Sequence, residues 1–186
     1  MATLTSFTFI TLNGFHKGEN DDIGWHQHGG EEAEYSVENL KSNDILLFGR
    51  VTYDLMRSFW PTEMAYQLYP DVAKGMNEAE KWVVSKRLKS ADWTNTTIIH
   101  ENLIEKMVGH KQSSQKNITL LGSGSVLQQL ADANLVDEYQ IMIDPVFIGK
   151  GEPILGNLNN HLRLELTKSS VFKSGTILLS YSPRVT

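Results

Sequence analysis

The chain has 186 residues, a formal net charge of −5, six histidines and no cysteine. One domain spanning 1–186 fits that length, and a pI near 5.7 excludes the basic surface of a nucleic-acid binder. The missing cysteines exclude disulfides, a thiolate nucleophile and a Cys-ligated zinc. Met1 to Ser6 has no signal-peptide pattern and no run approaches the ~18 apolar residues of a membrane span, so a cytoplasmic protein with neither nucleic-acid nor membrane partners is expected.

Phe7 to Leu12 alternates β-branched and aromatic residues and reads as the first strand. Asn13-Gly14 turns the chain into a polar, glycine-bearing stretch that runs to Gly30 and holds His16, Asp21, Asp22, Trp25, His26 and His28. A loop of that length in a compact domain is usually functional or mobile. Glu31 to Lys41 has helical spacing, with Ala33, Val37 and Leu40 on one face and acids in the first turn. Ile45 to Phe48 is a continuous apolar run, as a strand buried on both faces requires. Gly49-Arg50 follows, then a helix from Val51 to Phe59 closed by Trp60-Pro61.

Residues 65–69 and 72–76 read as helical turns around Pro70. Trp82 to Val84 and Thr96 to His100 are strands, and Leu103 to His110 a helix. Ile118 to Leu121 is a buried strand leading into Gly122-Ser123-Gly124-Ser125. Val126, Leu127, Leu130 and Ala131 then carry the buried face of a helix that starts at Ser123 or Ser125, with serine as its N-cap. Asp137 to Asp144 is another strand, followed by Pro145 to Ile148 and a glycine loop, 149–153. The alternating segment 162–166, then 169–173, a turn at Ser174-Gly175 and a return over 176–181 make a C-terminal hairpin. Strands alternating with helices, then strands alone, predict an α/β fold: a mostly parallel sheet covered on both faces, with an antiparallel edge.

Three strand ends carry related signals. Phe48 is followed by Gly49-Arg50-Val51-Thr52, Val84 by Ser85-Lys86-Arg87, and Leu121 by Gly122-Ser123-Gly124-Ser125. Ligands of open α/β sheets sit beyond the carboxyl ends of the strands. Two of these ends offer helix N-terminal amides, which suit phosphate, and two offer fixed positive charge. Together they point to a ligand with several phosphates, such as a dinucleotide. The turn is not the Gly-x-Gly-x-x-Gly fingerprint, and no Walker lysine follows it.

These segments, with Trp60-Pro61, the block Leu135-Val136-Asp137-Glu138-Tyr139, Asp144-Pro145 and Gly149-Lys150-Gly151, resemble the dihydrofolate-reductase-like proteins. The resemblance is to the C-terminal reductase domain of the bifunctional riboflavin-biosynthesis deaminase-reductase and its stand-alone relatives, and it runs from Phe7 to Tyr181. It implies a three-layer fold and NADPH as cofactor. Gly49, Arg50 and Thr52 would then hold cofactor phosphates, Ser85, Lys86 and Arg87 the 2′-phosphate, and Gly122, Ser123, Gly124 and Ser125 the pyrophosphate. It also places Asn13, where relatives carry aspartate, and Trp25 on the substrate side, and it implies a homodimer.

A catalytic acid is less defined. Glu31, Glu32 and Glu34 all open the first helix, where acids are common for dipole reasons alone; Glu32 is the candidate carried forward. His16, His26 and His28 lack the fixed frame of a metal site, and no metal is expected. The expected activity is an NADPH-dependent reduction of a C=N or C=O bond in a small polar substrate, like the reduction of 5-amino-6-(5-phosphoribosylamino)uracil in riboflavin biosynthesis. With the first strand opening the sequence and no deaminase half before it, either action alone on that substrate or reduction of a different one is expected. The alternative is a non-catalytic nucleotide-binding or regulatory protein on the same fold.

Overall fold

The computed structural model describes residues 1–26 and 28–184. The first strand, β1, is Leu4–Thr11, three residues longer at its start than the alternation alone marks. The stretch read as an irregular loop contains a second strand, β2 (Phe15–Gly18), and a 3-10 turn at Glu19–Asp21. Helix α1 is Gly30–Leu40. Strand β3, Ile45–Gly49, is buried at every position, as its unbroken apolar run requires. Helix α2 (Arg50–Phe59) follows with no linker. The turns around Pro70 are two helices, α3 (Glu63–Leu68) and α4 (Pro70–Glu78). Thr62 caps α3 by accepting from the Ala65 amide, and Pro70 sits at the start of α4, where its missing N–H costs nothing.

Next come β4 (Lys81–Val84), β5 (Thr96–Ile99), α5 (Leu103–Ser113), β6 (Ile118–Leu121) and α6 (Gly124–Asp132). The C-terminal part is β7 (Glu138–Asp144), β8 (Gly151–Pro153), β9 (Leu164–Val171) and β10 (Ile177–Pro183). Segments 162–166 and 169–173, read separately in the sequence, share the single strand β9, and the hairpin register shifts between Ser180 and Tyr181.

Eight strands form one sheet in the order β5-β4-β3-β6-β1-β7-β10-β9, while β2 and β8 pair as a separate ribbon. The large sheet is parallel from β5 through β7 and antiparallel at β10 and β9. Strand alternation divides the core. Ile45, Leu47, Ile118 and Leu120 pack with Met107, Leu127 and Leu130 on one face. Leu46, Phe48 and Val83 pack with Tyr53, Val72, Met76 and Trp93 on the other. That is the three-layer architecture expected. The face of α1 is more modest than expected: Val37 and Leu40 are half-buried against the second cluster, and the buried residue of the helix is Glu32. Leu40 nests where α4 carries Gly75, since a Cβ there would come within 2.9 Å of Leu40 Cδ1.

Lys81 is buried against the usual rule for a lysine. It opens β4 fully covered, and its ammonium donates to the carbonyls of Met76, Asn77 and Ala79 at 2.7–3.1 Å. Those carbonyls lie at the end of α4, beyond the intrahelical ladder, where a cation also meets the negative end of the helix dipole. Burial pushes its pKa down to about 8.

Candidate functional site

Strand register brings the three marked ends together. Leu47 pairs with Leu120 and Gly49 with Val84, so β3, β4 and β6 finish at nearly one level. Beyond them lies a cleft of about 830 Å³. Every residue expected to hold the cofactor lines it: Gly49, Arg50 and Thr52 after β3, Ser85, Lys86 and Arg87 after β4, and Gly122 to Ser125 after β6.

Ser123 ties two of these turns together. Gly122 and Ser123 are both left-handed, with φ of 55° and 60°. Ser123 stands at the N-cap position of α6, but its hydroxyl does not cap the helix, contrary to the expectation for either serine. Instead its Oγ accepts from the Gly49 amide at 2.8 Å and lies 3.0 Å from Thr52 Oγ1 and 2.9 Å from the Leu121 carbonyl. The left-handed conformation turns the side chain sideways toward β3. The first amides of α6, at Gly124 and Ser125, therefore lack a capping partner and have no intrahelical one.

The cations differ in how committed they are. Arg50 is half-exposed and pairs along α2 with Asp54 at 2.6 Å. Lys86 and Arg87 are exposed on the rim. Ser85 is buried, and its Oγ accepts from the amides of Arg87 and Leu88, so its first task is to shape the turn that presents the two cations.

The opposite wall comes from segments that gave little sequence signal. The β2–β8 ribbon sets His16 and Lys17 into the cleft, with Lys17 bridging Asp21 at 2.6 Å and Glu152 at 2.9 Å. Further along, His26 Nδ1 meets Asp144 Oδ2 at 2.9 Å, with both side chains almost fully covered. The His26 ring stacks on Phe9 at 3.8 Å and meets His28 edge-on at 4.5 Å. His28 has an exposed surface, but desolvation on its protein side, and then the charge of His26, push its pKa down to about 4. A carboxylate bonded to Nδ1 fixes an imidazole's tautomer and stabilises charge that builds on the ring. The His26–Asp144 pair was not read from the sequence. The available signals were a histidine in a long loop and a carboxylate ending an otherwise apolar strand.

Three expected site residues lie elsewhere. Glu32 does not border the main cleft; it lines a recess of about 50 Å³ behind it, shared with His26, His28, Ser36 and Trp60. One of its carboxylate oxygens accepts from the Ser174 hydroxyl, and Glu31 next to it holds the Lys173 amide at 2.8 Å, so these acids fasten α1 to the β9–β10 turn. The fastening lowers the pKa of Glu31, first through the Lys173 amide. Glu34 is exposed. Asn13 also faces away: its amide nitrogen donates to the Ile148 carbonyl at 2.8 Å, and its oxygen accepts from Thr11. Trp25 packs edge-on against Phe9, with its indole N–H donating to the Asp22 carbonyl, so it buttresses the wall from behind. Among the described residues no group of three or more His, Cys, Asp or Glu side chains is placed to hold a metal ion, and no helix is long and apolar enough to cross a membrane.

Solved structures share this architecture. A protein from Shewanella sp. PV-4 named for riboflavin biosynthesis matches over the full length of both chains, with a TM-score of 0.77 at 18% identity. Dihydrofolate reductase from Enterococcus faecalis, solved with NADP(H), matches 98% of this chain and 97% of its own, with a TM-score of 0.66 at 12% identity. The fold is that of the dihydrofolate-reductase-like proteins. Within that class the chain belongs to the RibD C-terminal domain family, whose model matches residues 2–178. YyaP of Bacillus subtilis (strain 168) is 26% identical over 172 residues, covering 92% of this chain and 90% of that protein.

Proposed function

We propose that the protein is an NADPH-dependent reductase acting on a small polar substrate. One observation carries the reading: ten residues picked from three separate strand ends line a single cleft of about 830 Å³. The chain fits a phosphorylated dinucleotide on physical grounds. The uncapped amides of Gly124 and Ser125 offer donors to a pyrophosphate at the positive end of α6. Arg50, Lys86 and Arg87 offer charge for a further phosphate, which favours NADPH over NADH. When bound, the cofactor supplies hydride; the protein supplies position, charge and exclusion of water.

Phe7, Phe9, His26, His28, Met56 and Trp60 line the rest of the cleft, a mixture of flat apolar surface and imidazole suited to a planar heterocycle. Family membership favours a substrate of the 5-amino-6-(5-phosphoribosylamino)uracil type, reduced at its open-chain sugar. The position of Glu32, fastened to Ser174 behind the cleft wall, favours a second reading, a binder that does not turn over. The edge strand β9 leaves Leu166 and Val171 exposed and is the proposed surface for pairing with a second copy.

Thermal unfolding with NADPH and with NADH tests the cofactor. At a hundred times Kd a ligand adds about 2.7 kcal/mol, or roughly 5–10 °C for a chain of this size. NADPH is expected to give the larger shift, and no shift with either sinks the reading. NADPH oxidation with the pyrimidine substrate then separates the two readings: binding without oxidation leaves the binder.

A further inference from the structure

His16 sits in the cleft by a specific device. In the β2–β8 ribbon, Phe15 pairs with Pro153 and Lys17 with Glu152, so the register breaks at His16. A bulge leaves one residue out of the ladder and re-aims its side chain. Here the ring is sent across to the start of α6: a Cβ placed on Gly124 would lie 3.1 Å from His16 Nε2. A side chain at that position would crowd the ring, and glycine leaves it room. Nε2 therefore stands beside the amides that Ser123 leaves uncapped. The other ring nitrogen, Nδ1, faces the Glu152 carbonyl at 3.4 Å.

We propose that His16 is a cofactor-binding residue that closes the pyrophosphate subsite from above, and that it takes up a proton when the cofactor binds. The proposal rests on the NADPH reading and adds a residue and a pH dependence to it. A carbonyl accepts only from an N–H, so the neutral ring that serves Glu152 carries its proton on Nδ1 and turns a bare lone pair toward the subsite. A lone pair repels a phosphate oxygen. The protonated ring donates from both nitrogens, to Glu152 and to the phosphate.

The charged groups facing the ring are Glu152 on β8, Lys17 on β2 and Asp21 on the 3-10 turn. Burial, helped by Lys17, outweighs the two carboxylates and lowers the His16 pKa below its ordinary 6.5, which leaves the ring neutral near pH 7 in the free protein. A bound phosphate raises it again. Affinity then tightens as pH falls from the bound-state pKa toward the free-state pKa.

Calorimetric titration of NADPH into the intact protein, in buffers of different ionisation enthalpy between about pH 5 and 8, reads the proton uptake directly. His16→Gln and His16→Lys are run beside the wild type, so the cofactor's own 2′-phosphate titration cancels in the comparison. Wild type is expected to lose affinity by about tenfold per pH unit where the ring titrates. His16→Gln is expected to take up less proton and to lose that slope. His16→Lys is expected to bind without the slope and to hold its affinity at about pH 8. Equal proton uptake in wild type and Gln variant overturns the proposal and leaves the cofactor reading standing, as does an equal loss of affinity at every pH. A wild type that does not bind NADPH overturns both.

Discussion

The two walls of the cleft are made from opposite kinds of chain. One wall is three strand ends, each a run of three or four consecutive residues whose amides and charges face the same way because parallel strands end together. The other joins residues far apart in sequence: His26 meets Asp144 across 118 positions and His16 meets Glu152 across 136, while behind the wall Ser174 meets Glu32 across 142. The first wall suits a common ligand recognised by backbone geometry. The second can change one side chain at a time without disturbing the sheet, as expected where substrate choice is made.

The largest break in that comparison comes from His26→Ala. The ring is covered, stacked on Phe9 and bonded to a buried carboxylate. Removing a covered ring that is stacked and hydrogen-bonded to a carboxylate leaves a cavity and a lost hydrogen bond, at about 3 kcal/mol. Urea unfolding is expected to show a loss of that order, with NADPH affinity in the remaining folded protein within twofold of wild type. A loss in NADPH affinity as large as the loss in stability would show that the two walls are not separable.

Gly151→Ala strikes the ribbon and should cost somewhat less. A Cβ at Gly151 would lie 2.4 Å from the Lys17 carbonyl and 2.8 Å from the Phe15 ring. Backbone cannot yield as a side-chain tip does, so β8 must separate from β2, at about 2 kcal/mol. The variant should bind NADPH more weakly and show faster amide exchange at residues 15–18, with the large sheet unchanged. Unchanged exchange in the ribbon counts against this reading of Gly151.

The legibility of the sequence divides along the same line. The β3 turn could be read because Gly49, Arg50 and Thr52 are neighbours, and the β6 turn because Gly122 to Ser125 follow a buried strand directly. What the hydroxyl of Ser123 does could not be read, since its partners at Gly49 and Thr52 lie more than 70 residues away. Nor could the β2–β8 ribbon: two strands of three or four residues carry too little alternation, and their pairing depends on β1 and β7 lying side by side. Glu32 is one of three acids at a helix start, where the dipole alone favours carboxylates and spacing singles none of them out. The structure uses the carboxylate for a contact with Ser174 that no local rule reaches. Lys81 fails the rule that lysines stay exposed for a similar reason, because its partners are carbonyls at the end of α4.

A smaller effect comes from pH on the substrate-side wall. His28 titrates near 4 in the folded protein and near 6.5 when unfolded. Between those values the unfolded chain binds more proton, so stability rises with pH across the window and is lost as pH falls from 6.5 toward 4. Because the residue is exposed at its surface, screening holds the contribution under about 1 kcal/mol. His28→Asn should flatten that part of the stability–pH curve, measured by urea midpoints. An unchanged slope assigns the acid loss to other groups.

The smallest effect on stability is expected from Arg50→Ala, and its smallness is what makes it useful. The Arg50–Asp54 pair is half-exposed and lies within one helix at i,i+4, a class worth about 0.3–0.5 kcal/mol. Its loss should hardly move the unfolding midpoint. The guanidinium nevertheless borders the cleft where α2 begins, and an exposed pair can give up its carboxylate for a phosphate at little cost. NADPH and NADH binding together locate that phosphate. A loss of about tenfold for NADPH with little change for NADH puts Arg50 on the 2′-phosphate, whereas equal losses put it on the pyrophosphate, nearer the turn that Ser123 ties to Gly49. No change in either leaves Arg50 as surface charge and passes recognition of the extra phosphate to Lys86 and Arg87, whose turn Ser85 shapes from beneath.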